Sequence, residues 1–317
     1  MRRSRDPRQL LDAARTGDRG ALARLLSMVE QGGAPAGAIG RLAFRAGGGA
    51  YTVGVTGAPG SGKSTLTSEL IGCIRRSARR VAVLAVDPSS PFSGGAILGD
   101  RVRMQDHALD PDVFIRSMAT RGHLGGLALA TPEAIRVLDA AGTEVVVVET
   151  VGVGQVEVEI AGSADTTLVV VNPGWGDAVQ ANKAGLLEIA DAFVINKADR
   201  AGVGETRRDL EQMLDMSDVA DWRPPVVNAV ATTGDGVAEV WDAVERHRAH
   251  LEDGGRLERR RADRLVREVR DIVVARVEER ASEALRGSAL DELRDALVER
   301  RTDPYSAADE VIAGLSL

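Results

Sequence analysis

Lysine is almost missing from this chain. Of its 40 basic residues only three are lysines, Lys63, Lys183 and Lys197, and the other 37 are arginines. A coding bias toward GC is enough to cause the exchange. The survivors then mark places where a compact ammonium cannot become a planar guanidinium. Cysteine is limited to Cys73, which excludes an internal disulfide framework and fits a reducing, cytoplasmic setting. The basic start Met1-Arg2-Arg3-Ser4-Arg5 is followed by no apolar stretch, so no secretory leader is expected. The longest apolar runs, such as Val145 to Val148, have the length of a strand and are far too short to span a bilayer. Positive charge is also short, and a net charge of −7 argues against general nucleic-acid binding. No internal repeat or long low-complexity tract is present.

What remains is an ordinary globular composition, 44% hydrophobic and 27% charged, in 317 residues. Leu10, Leu11, Ala14, Leu22, Leu25, Leu26 and Val29 recur at helical spacing, so Met1 to Gln31 is predicted as one or two short helices. Gly32 to Ala50 reads as a glycine-rich connection with a short helix inside it. Strands and helices then alternate. Strands are predicted at Tyr51 to Thr56, Val81 to Val86, Val113 to Ser117, Val145 to Val148, Leu168 to Val171, Phe193 to Ile195 and Pro225 to Val230. Helices are predicted at Thr65 to Arg76, around Pro132 to Ala140 and at Val237 to His250. Continuous apolar strands suit a parallel sheet covered on both faces. Beyond Gly254 only helical patterns occur. Leu265, Val269, Ile272, Val273 and Val277 form one stripe, Ser288 starts a helix with Asp291 at a reciprocal capping position, and Asp303-Pro304 starts another. Such a tail packs on the α/β domain or on a second copy of itself.

Gly57-Ala58-Pro59-Gly60-Ser61-Gly62-Lys63-Ser64-Thr65 follows a predicted strand and precedes a predicted helix, which makes it a phosphate-binding loop. Its glycines let backbone N–H groups curl around phosphate oxygens, and the helix N-terminus adds its positive end. Lys63 is expected on the β- and γ-phosphates and Ser64 on Mg²⁺. Asn196-Lys197-Ala198-Asp199 follows a later strand. The Asp199 carboxylate can accept from guanine N1–H and the exocyclic amine, a pair that adenine lacks, and the Lys197 stem can pack over the base. A further backbone contact to the base is expected at Val230-Ala231-Thr232, where Val230 replaces the serine GTPases often carry. Glu149 ends the apolar strand from Val145 and can hold Mg²⁺ directly or through water. Gly152 can approach the γ-phosphate by its N–H. Asp87 ends the second strand and Asp100 lies in Gly99-Asp100-Arg101. Both offer the hard oxygens Mg²⁺ needs, with helix or turn capping as the alternative.

These strings together resemble the methylmalonyl-CoA mutase-associated GTPases, the MeaB/ArgK family, whose mammalian member is the methylmalonic aciduria type A protein. The resemblance also rests on Asp87-Pro88-Ser89-Ser90-Pro91, Ser117-Met118-Ala119-Thr120-Arg121-Gly122, Glu149-Thr150-Val151-Gly152-Val153-Gly154-Gln155 and Asp303-Pro304-Tyr305, and covers nearly the whole chain. It implies a P-loop GTPase domain of the signal-recognition/MinD-like class with a mostly parallel sheet, at residues 51–252. A helical N-terminal extension at 1–50 and a helical C-terminal dimerisation arm at 253–317 would flank it. It implies GTP hydrolysis with Mg²⁺, in a homodimer that serves an adenosylcobalamin-dependent acyl-CoA mutase; charge and composition lead to no nucleic acid and no membrane being expected as partner. Switch regions carry over as Asp87 to Arg103 and Glu149 to Ala161. A third, Asn172 to Lys183, contains Asp177, Gln180 and Lys183 as candidates for coupling hydrolysis to the partner.

Other residues are read more plainly. Arg256, Arg259, Arg260, Arg261, Arg264 and Arg267 interleave with acidic residues, as on a solvated, salt-bridged helix. His247 and His250 are expected at the surface. His123, Gln155 and Trp175 stay unassigned. A nickel- or zinc-inserting GTPase is an alternative, but it needs Cys/His ligands near the switches. A protein kinase of a transport system is another, and it needs ATP, against which Asp199 argues.

Overall fold

The computed structural model describes residues 6–87, 104, 107, 109–119, 126–150, 162–174, 188–216 and 221–315. They fall into two compact units, Met1–Ala262 and Asp263–Leu317.

Seven strands form the sheet of the first unit: β1 (Tyr51–Thr56), β2 (Val81–Asp87), β3 (Val113–Ala119), β4 (Val145–Thr150), β5 (Thr166–Val171), β6 (Ala192–Ile195) and β7 (Val226–Asn228). Their order is β3-β2-β4-β1-β5-β6-β7, and every pair is parallel. The apolar runs explain this. Alternate residues of a strand face opposite sides, so Val145 and Val147 join one core while Val146 and Val148 join another. All four valines are fully buried, and each contributes about 1.5–3 kcal/mol relative to exposure. On one face lie α4 (Lys63–Arg76) and α7 (Val237–Glu252), through Leu66, Leu70, Ile74, Val240 and Val244. The other face is covered by α1 (Pro7–Arg15), α2 (Arg19–Gln31), α3 (Gly33–Ala46) and α5 (Gly126–Ala140). A third cluster joins α6 (Val203–Asp215), through Leu210 and Leu214, to Phe193 and Ile195.

The first two N-terminal helices begin at aspartates. Asp6 accepts from Arg8 N, and Asp18 from Gly20 N and Ala21 N. Arg116 of β3 reaches across to Glu30 of α2 at 2.5 Å. The short helix expected inside the connection at Gly32 to Ala50 is corrected in length, because most of that stretch is the 14-residue α3. Glycine costs a helix about 1 kcal/mol. Burial of Ala36, Ile39 and Ala43 offsets that cost, and Gly40 lies so close to α5 that a Cβ there would be 3.2 Å from Glu133 Oε1.

At the N-terminal ends of β1, β5 and β6 a polar network is buried. The Tyr51 hydroxyl lies 2.5 Å from Thr166 Oγ1, which lies 2.8 Å from His247 Nδ1. His247 Nε2 is 3.3 Å from Asp191 Oδ1. Arg260 donates twice to the Asp191 carboxylate, at 3.1 and 2.9 Å. Arg261 grips the buried Asp165 in the same way, at 3.1 and 2.7 Å. Two expectations are thereby corrected. His247 is 1% exposed rather than a surface residue, and Arg260 and Arg261 leave the solvated stripe to neutralise carboxylates that the sheet buries.

The helix α8 (Arg256–Ala284) starts in the first unit, and the second unit takes in its remainder with α9 (Ser288–Val298) and α10 (Pro304–Gly314). Asp303 caps α10 through Tyr305 N and Ser306 N, as its sequence predicts. Ser288 does not cap α9. Gly287 holds the N-cap position and Asp291 pairs with Arg294. Val266, Val269, Val273 and Val274 of α8 are all more than half exposed. Among the described residues no helix is long and apolar enough to cross a membrane.

Candidate nucleotide site

The site forms at the C-terminal ends of the central strands, where open parallel sheets collect ligands. β1 ends at Thr56 and α4 begins at Lys63, with the phosphate loop between them. Two glycines are required there. Gly57 has φ +135°, and a Cβ on it would lie 2.1 Å from Val170 O. Gly62 has φ +90°, and a Cβ would lie 2.3 Å from Asn196 Nδ2. Gly62 caps α4 without any side chain, so the first N–H groups of the helix receive no side-chain acceptor from the cap. That is the arrangement in which a helix N-terminus takes a phosphate.

Lys63 is buried, and its Nζ donates to Gly57 O at 2.5 Å and to Ala58 O at 3.1 Å. Ser64 Oγ donates to Glu149 Oε1 at 2.5 Å, and both residues are buried. The strand register holds this pair in place. Glu149 is level with Val55, and the next residue, Thr150, donates from Oγ1 to Thr56 Oγ1 at 3.2 Å. A hydroxyl and a carboxylate oxygen side by side at the mouth of the phosphate loop are hard donors. They fit a Mg²⁺ completed by phosphate and water oxygens. Among the described residues no cluster of three or more His, Cys, Asp or Glu side chains makes a separate metal site.

The base loop follows β6. Asn196 is buried and braces three loops at once, its Nδ2 donating to Ser61 O at 2.7 Å and its Oδ1 accepting from Ala231 N at 3.1 Å. Lys197 has φ +58°, a left-handed backbone unusual outside glycine. Its Nζ donates to Gly60 O at 2.5 Å, which lays its stem along the phosphate loop. Asp199 stands exposed at the end of the loop. Of the three residues expected to offer backbone to a base, Val230 N–H is taken by Asp235 O and Ala231 N–H by Asn196; Thr232 lies beside them, exposed.

The structure thus brings together residues 57–65, Glu149, 196–199 and 230–232. Asp87 closes β2, but its side chain is outside the described residues, as are Asp100, Gly152, Asp177, Gln180, Lys183, His123, Gln155 and Trp175. Sequence reasoning missed the brace role of Asn196, whose two partners come from other loops. It places Asn172, just past β5, only as the start of the third switch; its donation to Gly60 O at 3.4 Å was not foreseen.

Residues 22–286 match the family model described as methylmalonyl Co-A mutase-associated GTPase MeaB. A protein of Pyrococcus abyssi that carries a GTPase name is 49% identical, over 96% of this chain and 95% of that one. The methylmalonic aciduria type A homolog, mitochondrial, of Mus musculus is 37% identical, over 67% of this chain and 52% of its own. A crystal structure titled as a LAO/AO transport system kinase superposes with a TM-score of 0.73 at 27% identity, covering 98% of each chain. A P-loop on a parallel sheet, a paired serine and glutamate at its mouth and these relatives agree that the chain is a GTPase. It belongs to the methylmalonyl Co-A mutase-associated GTPase family, MeaB.

Proposed function

We propose that this GTPase is a chaperone for an adenosylcobalamin-dependent acyl-CoA mutase, gating delivery of intact cofactor and removal of damaged cofactor. The observation that carries the reading is the match of residues 22–286 to a family described by its association with methylmalonyl-CoA mutase. The relationship to the mouse methylmalonic aciduria type A homolog supports it.

In this reading GTP and water become GDP and phosphate at the site above. N–H groups of residues 57–65 cradle the phosphates, and Lys63 turns from its loop carbonyls to the β- and γ-phosphates. Ser64 and Glu149 hold Mg²⁺, with Asp87 and Asp100 as further carboxylates and Gly152 N–H at the γ-phosphate. A Mg²⁺ held there would neutralise charge on the phosphates. Asp199 selects guanine, Lys197 packs over it, and the backbone at 230–232 lies beside it. Asp177, Gln180 and Lys183 couple nucleotide state to the mutase. The helical arm at 253–317 mediates a homodimer, supported by the exposed valines of α8. A reducing, cytoplasmic setting fits Cys73, which is buried and unpaired with another cysteine.

The test is co-purification with an adenosylcobalamin-dependent mutase in the GDP, GTP-analogue and empty states, with the hydrolysis rate measured with and without the mutase. A complex in at least one state and faster hydrolysis are expected. No complex in any state refutes the chaperone reading. The kinase title of one structural relative sets the second reading. Tight ADP binding in place of GDP would favour it.

A further inference from the structure

The exit of β5 carries contacts that the nucleotide reading above does not use. Asn172 Nδ2 donates to Gly60 O of the phosphate loop at 3.4 Å, the oxygen that also receives Lys197 Nζ. Asn172 Oδ1 is buried with no hydrogen-bond partner, so the Gly60 contact alone orients this amide among the described residues. Two residues on, Gly174 N donates to Thr206 Oγ1 at 3.1 Å, and Thr206 is buried in the first turn of α6. Gly202 caps that helix, and a Cβ on it would lie 3.7 Å from both Gly174 N and Pro173 Cβ. The turn at 172–174 therefore rests against the phosphate loop on one side. On the other it rests against the helix that follows the base loop.

A peptide is planar, with its oxygen and its N–H on opposite sides. Holding Gly60 O outward turns the N–H of Ser61 toward the inside of the phosphate loop, where it closes a turn to Ala58 O at 3.1 Å. In a loop with glycines at 57, 60 and 62, peptide orientation depends on such outside contacts, here Asn172 together with Lys197 Nζ on the same oxygen. We propose that Asn172 is a positioning residue for the bound nucleotide. With Lys197 it holds the Gly60–Ser61 peptide so that its N–H stays on the inner side of the loop and can leave Ala58 O for a phosphate oxygen, and Thr206 secures the turn that presents Asn172. The inference rests on residues 57–64 being the phosphate site.

The experiment is release of a fluorescent GDP analogue from the full chain, followed by stopped flow. Loss of one neutral hydrogen bond corresponds to release about three- to tenfold faster from Asn172→Ala. The melting temperature of the nucleotide-free variant is expected to match wild type. Thr206→Val keeps the shape, removes the acceptor and is expected to shift release in the same direction. Release at the wild-type rate from both variants overturns the inference. A lowered nucleotide-free melting temperature with unchanged release also overturns it, because the contact is then only structural. Lys63→Ala separates the two levels. If it keeps wild-type GDP affinity, the phosphate-site reading fails and takes this inference with it. If it loses binding while Asn172→Ala releases normally, only this inference fails.

Discussion

Acid should weaken this fold through His247 before it protonates most carboxylates. Burial pushes the His247 imidazole down from 6.5 to about 4, outweighing the upward pull of Asp191. The surroundings explain why burial wins. Nδ1 faces the Thr166 hydroxyl, and Nε2 faces an Asp191 already held by Arg260 and by Thr167 N. Trp222 lies against the ring at 4.9 Å, with His250 behind it at 6.4 Å. Tyr51 and Asp165 complete the cluster. A neutral ring donating from Nε2 and accepting at Nδ1 leaves no group unmet, and a second proton at Nδ1 would displace the Thr166 donor. Because the folded value is depressed, the unfolded chain takes up a proton near pH 6.5 that the folded chain refuses until about pH 4. Stability contributed by the neutral ring is complete above that window and falls as pH drops through it. One proton gives about 1.4 kcal/mol per pH unit, and the window gives about 3 kcal/mol in all. Urea unfolding at pH 7.5, 6.5, 5.5 and 4.5 measures it, with His247→Gln as the non-titrating reference. The variant should start less stable and show a flatter pH dependence. An identical slope in variant and wild type, or an NMR titration of His247 near 6.5, refutes the reasoning.

Three further outcomes are expected. Asp199→Asn should lose GDP affinity by at least about tenfold and gain affinity for xanthosine diphosphate, because the amide donates where the carboxylate accepted; competition binding decides it. Arg261→Ala takes the cation away from an Asp165 that is 1% exposed but leaves it the Thr52 N–H, and should cost about 3–5 kcal/mol of stability by urea unfolding, with restored stability in Arg261→Ala/Asp165→Asn. Lys197→Arg cannot put one ammonium on Gly60 O, and should weaken GDP binding about tenfold by calorimetry while leaving the melting temperature of the nucleotide-free chain in place.

The parallel sheet was readable because strands buried on both faces must be apolar throughout, and Val145 to Val148 is. The phosphate loop was readable because its geometry admits only glycine at two positions. What escaped depends on distant partners. His247 sits among arginine, glutamate and histidine along the chain, and reads as surface. Its burial is set by Thr166, 81 residues away, and by an aspartate ahead of β6. Arg260 and Arg261 have the same history, since nothing near them in sequence announces Asp191 or Asp165. The length of the helix at Gly33–Ala46, expected only as a short one, escaped for the converse reason. Its glycines signal a connection locally, and only the approach of α5 makes small residues an advantage there.

The scarcity of lysine now has a physical content for two of the three survivors. Lys63 and Lys197 both direct an ammonium at backbone carbonyl oxygens of one loop, Gly57 and Ala58 for the first and Gly60 for the second. A carbonyl in a tight turn offers a point, and a point charge on a thin stem satisfies it. A guanidinium presents a fork several ångströms wide, suited to the paired oxygens of a carboxylate. Arg260 on Asp191 and Arg261 on Asp165 are used in that way. The fork does not exclude single oxygens, since Arg261 also donates to Gly48 O at 3.3 Å and to Ala50 O at 2.8 Å. What sets Lys63 and Lys197 apart is that both ammoniums meet carbonyls of the same phosphate loop, where a thin stem fits beside the bound phosphates.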